Sequence, residues 1–329
     1  MKNFKNIFIT GGAGYVGASL VPRLLSEGFH VTVLDLMMYG ENVLPTHPNL
    51  KVIKDDIRNA NLLKKIIPGH DAVIHLACIS NDPSFELNPT LGKSINLDSF
   101  KPLVEICKSS GVRRFIYASS SSVYGIKKET NVHEDVKLEP LTDYSKFKAE
   151  CEKILLSYKS EDFEVVTVRP ATVCGYSTRQ RLDVIVNILT NYAYHKRFIQ
   201  IFGGEQLRPN IHIKDMVETY LLFLKADKKL INGEIFNIGS KNMTVKEIAQ
   251  IVKQIIGEDI TFKVVETNDN RSYHISSKKI LEVLNFETRY SIGDAVADLK
   301  DAFEKKLLTN TFENINYYNI KKMQYINLK

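Results

Sequence analysis

Thr10-Gly11-Gly12-Ala13-Gly14-Tyr15-Val16-Gly17 is the stretch on which the reading of this chain turns. It follows the apolar run Ile7-Phe8-Ile9 and opens an apolar-periodic segment carrying Leu20-Val21 and Leu24-Leu25. A strand before and a helix after put Gly11, Gly14 and Gly17 in the turn between them. Glycine lets the backbone turn sharply and lie close to a bound group, and the helix N-terminus offers its unpaired N–H groups to an anion. A pyrophosphate suits that arrangement. The spacing is G-x-x-G-x-x-G rather than G-x-G-x-x-G, and glycine-rich turns also serve plain strand-to-helix joints. The rest of the chain has to decide between these.

Outward from the turn, short β-branched runs alternate with helical patterns. Strands are predicted at His30–Leu34, Lys51–Lys54, Asp71–Leu76, Arg114–Ala118 and Val165–Val168, with helices at Leu62–Ile67, Leu91–Ser110 and Tyr144–Tyr158. Near-continuous apolar strands separated by helices predict a parallel sheet covered on both faces, the doubly wound α/β architecture of the Rossmann type. Beyond Cys174 the alternation becomes irregular. Helices are expected at Leu182–His195, Met216–Lys225, Val245–Ile256, Ser277–Leu284 and Ile292–Lys306, and strands at Ile199–Phe202, Glu234–Ile238 and Thr261–Val265. The expected organisation is a nucleotide-binding Rossmann domain over 1–174, with returns near 208–240, and a smaller mixed α/β substrate-binding lobe over 175–307. A tail over 308–329, rich in Asn, Tyr and Lys, either docks as an arm or stays mobile.

Composition narrows the partners. The chain has 329 residues, enough for a sizeable core, and carries 44 Lys+Arg against 38 Asp+Glu. Its basic residues are scattered, and pairs such as Lys127-Lys128 and Lys228-Lys229 read as solvated faces rather than a nucleic-acid stripe. Cys78, Cys107, Cys151 and Cys174 lie far apart with no C-x-x-C pair, which predicts reduced thiols and neither a disulfide framework nor a metal site. The apolar stretch after Met1–Asn6 is too short for a signal-peptide core, and no segment has the apolar length of a membrane span. A soluble cytoplasmic protein with no nucleic-acid or membrane partner is expected.

Three features carry chemistry. Asp35 ends the second strand, eighteen residues after Gly17, where a carboxylate accepts hydrogen bonds from an adenosine ribose and repels a 2′-phosphate. Leu36, Met37 and Met38 supply no arginine for such a phosphate, so NAD is favoured over NADP. Tyr144 and Lys148 stand four apart at the start of a helix and share one face. An ammonium beside a phenol favours phenolate and makes it a usable base, although Tyr-x-x-x-Lys alone also describes a solvated helix face. Ser119-Ser120-Ser121-Ser122-Val123-Tyr124-Gly125 follows the fifth strand, at the sheet edge where such folds bind ligands. Taken in order, these make a Ser-Tyr-Lys site.

The succession Thr10–Gly17, Asp35, Asp56-Ile57-Arg58, His75-Leu76-Ala77, Ser120 with Val123-Tyr124-Gly125, Tyr144-x-x-x-Lys148 and Arg169-Pro170 resembles the extended short-chain dehydrogenase/reductase family. Within it the chain is similar to the NAD-dependent nucleotide-sugar epimerase/dehydratase group. Arg208-Pro209-Asn210-Ile211-His212-Ile213-Lys214-Asp215 resembles that group's Arg-Asp-Phe-Val-His-Val-x-Asp segment, and the likeness runs to about residue 305. The resemblance implies that Tyr144 is the acid/base at a sugar hydroxyl, that Lys148 lowers its pKa and binds the nicotinamide ribose, and that Ser120 bonds the same sugar oxygen. It implies that Gly11, Gly14, Tyr15 and Val16 surround the NAD pyrophosphate, with Asp35 on the adenosine ribose, Asp56 and Ile57 at adenine, and Leu76 and Ala77 lining the cleft. Arg208, and with them Arg181 and Arg271, would grip the substrate diphosphate, for which a guanidinium fork is well shaped, and Thr172 stands nearby where many relatives have asparagine. A homodimer built on the two long helices is also implied.

The departures carry information. Dehydratases of the group have Thr-Asp-Glu before Val-Tyr-Gly, whereas this chain has Ser120, Ser121 and Ser122. Loss of water then has no evident proton carriers. Ala77–Pro83, Cys174 and Arg179-Gln180-Arg181-Leu182-Asp183 are also unusual for the group. The expected function is an NAD-dependent epimerase of a nucleotide-diphosphate sugar acting through a keto-sugar at C4. A dehydrogenase or keto-reductase is the next alternative, followed by a 4,6-dehydratase and a non-catalytic dinucleotide-binding protein.

Overall fold

Seven parallel strands form the central layer, running from Glu234–Ile238 at one edge through Glu164–Pro170, Arg114–Ala118, Ala72–His75, Asn6–Thr10 and His30–Asp35 to Leu50–Lys54 at the other. They belong to a computed structural model that describes residues 4–129, 131–266, 272 and 274–326. The first six strands are β1 (Asn6–Thr10), β2 (His30–Asp35), β3 (Leu50–Lys54), β4 (Ala72–His75), β5 (Arg114–Ala118) and β6 (Glu164–Pro170). Then follow β7 (Thr172–Cys174), β8 (Phe198–Phe202), β9 (Leu207–His212), β10 (Glu234–Ile238), β11 (Asn242–Thr244) and β12 (Thr261–Val265). The chain leaves β1 in one direction to β2 and β3 and in the other to β4 and β5. That reversal opens a crevice beyond the carboxyl ends of β1 and β4, where doubly wound sheets bind ligands.

Side chains of successive strand residues point to opposite faces, and β1 shows what each face buries. Ile7 and Ile9 join a core with Leu20, Leu24, Tyr220 and Phe223, while Phe8 joins one with Phe100, Leu103, Phe115 and Phe163. The helix opened by the glycine turn, Gly17–Ser26, buries its apolar stripe against the first of these and against the helix Ile213–Lys225. β10 pairs with β6, so a segment from beyond residue 230 completes the sheet. The second lobe packs helices Ile185–Lys196, Val245–Ile256 and Ile292–Glu304 around Val186, Ile199, Ile248, Val252 and Val296, beside the parallel pair β8–β12.

The fold departs from the sequence expectations in one helix and in one set of strands, while the tail takes one of the two courses expected for it. The single helix expected over Leu91–Ser110 is three pieces: Pro89–Lys93, a π-helical turn Ser94–Asp98, and Phe100–Ser109. The wide turn leaves the apolar periodicity nearly intact, which is why the pattern does not betray it. β7, β9 and β11 were not expected: Pro209 and Asn210 in β9 and Asn242 in β11 are poor strand formers, and β7 is only 3 residues long. They form a three-stranded sheet, and their pairing with each other outweighs local propensity. The tail is docked through Tyr317: it makes a short turn at Ile315–Tyr317 and a helix Asn319–Ile326, with Met323 buried in the core that holds Phe85 and Leu103.

Beneath the carboxyl edge lies a buried ion pair. Arg169 on β6 donates from Nη2 to Glu152 Oε2 at 2.7 Å and from Nε to Oε1 at 3.0 Å, and both side chains are nearly inaccessible. Arg169 Nη1 also donates to the Tyr124 hydroxyl at 2.8 Å and to the Glu134 carbonyl at 2.9 Å. Tyr124 in turn donates to Asn237 Oδ1 at 2.7 Å on β10, and Ser119 donates to Glu152. Removing one partner would leave the other charge buried and unpaired. Arg169→Met is therefore expected to lower unfolding free energy by about 3–5 kcal/mol, read from the urea midpoint at constant m.

Candidate active site

The glycine turn is as tight as its spacing implies. Gly11 has φ +74°, and a Cβ there would sit 2.5 Å from the Ala77 nitrogen; one on Gly17 would sit 2.4 Å from the Gly12 carbonyl oxygen. The turn thus lies directly on the end of β4, and Gly11, Gly14, Tyr15 and Val16 border a cavity of about 530 Å³. Asp35, at the end of β2, accepts from the main-chain N–H of Ala13 at 3.0 Å and of Met37 at 2.8 Å. Burial raises its pKa, and those two N–H groups and the nearby Arg179 work against the rise. Asp56 and Ile57 follow on the same side of the cavity. Burial works to raise Asp56 as well, but its bonds to Arg58 win and hold it below the usual carboxylate range.

Tyr15 has a second task. Its hydroxyl donates to the Gly175 carbonyl at 2.5 Å and accepts from Asn187 at 3.0 Å, while Ser177 Oγ donates to the Tyr15 carbonyl at 2.9 Å. The phenol is buried and fastens the glycine turn to the second lobe, leaving the Tyr15 backbone at the cavity.

The Ser-Tyr-Lys set lines the same cavity. Thr142 caps the helix Asp143–Ser157 by accepting from the Ser145 N–H, which places Tyr144 in its first turn and Lys148 one turn on. Ser120 turns the chain after β5 and accepts from the Ser122 N–H at 3.2 Å. Hydroxyls then run from Ser120 to Ser122 at 2.8 Å, to Ser145 at 3.0 Å and to Thr142 at 2.9 Å, and Thr142 donates to Asp82. Burial pushes the Tyr144 phenol well above its ordinary range, Cys78 and Asp82 add to this, and Arg181 and the Ser120 hydroxyl oppose it. The Lys148 ammonium is 5.8 Å from the Tyr144 ring centre and donates to the Ala118 carbonyl at 2.6 Å. Arg181 is a cation that opposes the rise at this phenol.

Leu76, Ala77, Thr172, Arg181 and Arg208 complete the lining, so one cavity holds every site residue expected from the sequence among the described residues. Arg271 lies outside the described residues. Sequence reasoning missed Arg179 as a site residue, together with Asp183, Ser80 and Asn319. Arg179 is 3% exposed, stacks its guanidinium 3.5 Å from the Tyr39 ring centre, and is brought down to about 10 by burial. Its Nε and Nη1, and Nη2 of Arg181, are buried without a hydrogen-bond partner among the described residues. The alternation of Arg179, Arg181 and Asp183 was visible; nothing marked Asn319.

These donors suit a dinucleotide. The glycine turn brings main-chain N–H groups and a helix N-terminus to the cavity, Asp35 supplies a carboxylate for a diol, and the buried guanidinium N–H groups suit phosphate oxygens. Among the described residues, no cluster of His, Cys, Asp or Glu could hold a metal ion, and no helix is long and apolar enough to cross a membrane.

Residues 7–239 match the model of the NAD dependent epimerase/dehydratase family. The chain belongs to this family. Its cofactor is accordingly NAD, and it is an enzyme of the short-chain dehydrogenase/reductase type. Among the family's curated members it is similar to a UDP-glucose 4-epimerase of Lactobacillus helveticus, 27% identical over 313 residues that cover 88% of this chain and 94% of the relative. Among solved structures it is similar to UDP-glucose 4-epimerase with UDP-glucose from Thermotoga maritima, at TM-score 0.83 and 26% identity, covering 92% of this chain and all of that one. It is also similar to MoeE5 in complex with UDP-glucuronic acid and NAD, at TM-score 0.81 and 25% identity, covering 92% of this chain and 99% of that one.

The glycine turn tests the cofactor site directly. Gly11→Ala meets both a left-handed φ and the Ala77 backbone, so NAD affinity in a calorimetric titration is expected to fall by more than about tenfold, or about 1.4 kcal/mol.

Proposed function

We propose that this enzyme epimerises a nucleotide-diphosphate sugar at C4 through a transient keto-sugar. The observation that carries the reading is that Ser120, Tyr144 and Lys148 line the same cavity as the glycine turn and Asp35. Both similar epimerases point the same way, and two of the similar structures hold UDP-sugars.

In this reading Gly11, Gly14, Tyr15 and Val16 hold the NAD pyrophosphate, Asp35 the adenosine ribose, and Asp56 and Ile57 the adenine, with Leu76 and Ala77 along the cleft. Bound NAD supplies an acceptor that takes a hydride and gives it back. Tyr144 removes the proton from the sugar hydroxyl as carbon–hydrogen bond breaking makes the ketone, and returns it when the ketone is reduced on its other face. Ser120 donates to the same oxygen and fixes its distance from the phenol. Lys148 turns from the Ala118 carbonyl toward the nicotinamide ribose and the phenol. Arg181 and Arg208, with Arg271, take the diphosphate, and Thr172 adds a hydroxyl beside it. The ketone stays in a closed, oriented site, which favours re-reduction over release.

The serine turn bears on the outcome. Ser122 Oγ is engaged by Ser120 and Ser145, so the position at which dehydratases carry an acid offers a hydroxyl tied into a chain of hydroxyls. Elimination of water lacks its acid/base pair at Ser121 and Ser122, and epimerisation needs none there.

The test is incubation with UDP-, dTDP-, GDP- and CDP-sugars, following product mass, product stereochemistry and NADH absorbance together. An altered sugar of unchanged mass with no net NADH is expected. Loss of two mass units with NADH would make the enzyme a dehydrogenase, and loss of water a dehydratase. Tyr144→Phe is expected to lower kcat by about 10²–10⁴-fold while NAD binding stays intact. Because burial holds the phenol above its ordinary range, the phenolate fraction grows as pH rises, so kcat/KM is expected to climb from about pH 6 to about pH 9. A flat profile would remove Tyr144 as the base.

A further inference from the structure

The C-terminal segment, which no motif marks, enters the cavity. After the helix Ile292–Glu304 the chain runs back along the second lobe, where the Leu182 N–H donates to the Tyr317 carbonyl at 2.9 Å. The helix Asn319–Ile326 then begins at a residue only 2% exposed. Asn319 touches three parts of the site. Its main-chain N–H donates to Asp183 Oδ2 at 2.8 Å, its side-chain oxygen accepts from Arg179 Nη2 at 2.6 Å, and its side-chain nitrogen donates to Ser80 Oγ at 2.8 Å. Ser80 lies on the loop after β4, whereas Arg179 and Asp183 lie on the segment after β7. One residue therefore ties the two sides of the cleft together, and Met323, one turn later, anchors its helix in the core.

The other Asp183 oxygen accepts from Arg181 Nε at 2.8 Å. Asp183 is thus shared between the arm and Arg181, and its carboxyl is held below the usual range by Arg181 against the effect of burial. Both arginines keep buried N–H groups at the cavity that have no partner among the described residues. Around Tyr144, Cys78 and Asp82 face it from the loop after β4, Arg181 from the second lobe, Ser120 from the serine turn and Lys148 from its own helix. Fixing Arg181 from behind therefore fixes a cation that opposes the negative groups at the phenol.

We propose that Asn319 is a positioning residue of the catalytic cleft: the C-terminal arm aims Arg179 and Arg181 at the anionic groups of the bound molecules and, through Asp183, fixes Arg181 in the cavity that Tyr144 also lines. The proposal rests on the epimerase reading for its kinetic consequences. Packing of the arm alone needs only its apolar anchors, Leu308 and Met323; the three bonds of Asn319 all go to cavity residues.

Two substitutions separate positioning from packing. Asn319 is the first residue of its helix, where proline is tolerated, and Tyr318 before it is already extended at φ −129° and ψ 112°, as a residue preceding proline prefers. Asn319→Pro removes the N–H to Asp183 and both side-chain bonds; Asn319→Ala removes the side-chain bonds only. Each is measured by steady-state kinetics on the sugar that the wild type converts, and by hydrogen exchange over residues 177–184. In Asn319→Pro a fall in kcat of about 100-fold is expected, with the climb of kcat/KM moved to higher pH, and a smaller fall in Asn319→Ala. Exchange over 177–184 is expected to quicken in both, while β8 keeps its protection. A folded Asn319→Pro enzyme with the kcat, KM and pH profile of the wild type overturns the proposal. If the proline variant does not fold, full activity and unchanged exchange in Asn319→Ala overturn it. If the wild type converts no nucleotide sugar, the epimerase reading fails, and the arm is judged by exchange alone: unchanged protection over 177–184 refutes it.

Discussion

The buried pair of Arg169 and Glu152 ties together the elements on which the site is built. Glu152 sits on the helix that presents Tyr144 and Lys148, and Arg169 sits on the strand beside the serine turn. Through Tyr124 and Asn237 the same guanidinium reaches β10, and through Ser119 the carboxylate reaches the start of the turn that carries Ser120. The distance between the hydroxyl of the turn and the phenol of the helix is thus set from underneath. A salt bridge of this kind is weak evidence for net stability, because desolvation offsets much of the attraction. Its geometry is the more informative property: a planar fork and a bidentate carboxylate leave few ways for helix and strand to slide.

The cavity itself is a balance of buried charge. Asp35, Asp183, Arg179 and Arg181 are largely removed from water, and each is tuned by the others. Interactions among such groups are stronger than at a surface, and the cost of leaving one unmatched rises equally. Two guanidiniums with N–H groups unmatched among the described residues, and a phenol pushed away from ionisation, make a site that favours negative charge on its ligand and resists it on the base. Bound anions and a bound cationic ring would shift both in the productive direction.

Much of this was legible in the sequence. β-branched runs at regular intervals gave the parallel sheet, because buried strands need continuous apolar residues whatever the tertiary detail. The glycine turn, Asp35, Ser120, Tyr144 and Lys148 were legible because each sits at a strand end or helix start that local pattern locates. The second lobe was less so: β9, with Pro209 and Asn210 inside it, is held by its neighbours rather than by its own preferences. Asn319 was invisible for another reason. It lies 136 residues from its Asp183 partner and 239 from Ser80, and an asparagine in a polar tail carries no local sign of such contacts.

The π-helical turn at Ser94–Asp98 has a consequence for the loop that roofs the cavity. It swings Asn96 so that its carboxamide accepts from the Ile79 N–H at 2.8 Å and donates to the Ile79 carbonyl at 2.9 Å, mimicking a neighbouring strand for a loop that has none. An α-helix advances about 100° per residue, so a deletion of one residue here would restore regular winding and rotate Asn96 away from Ile79. The shape of the roof is therefore encoded as a residue count in a helix behind it. Two chains with identical roof sequences but different counts would enclose different spaces.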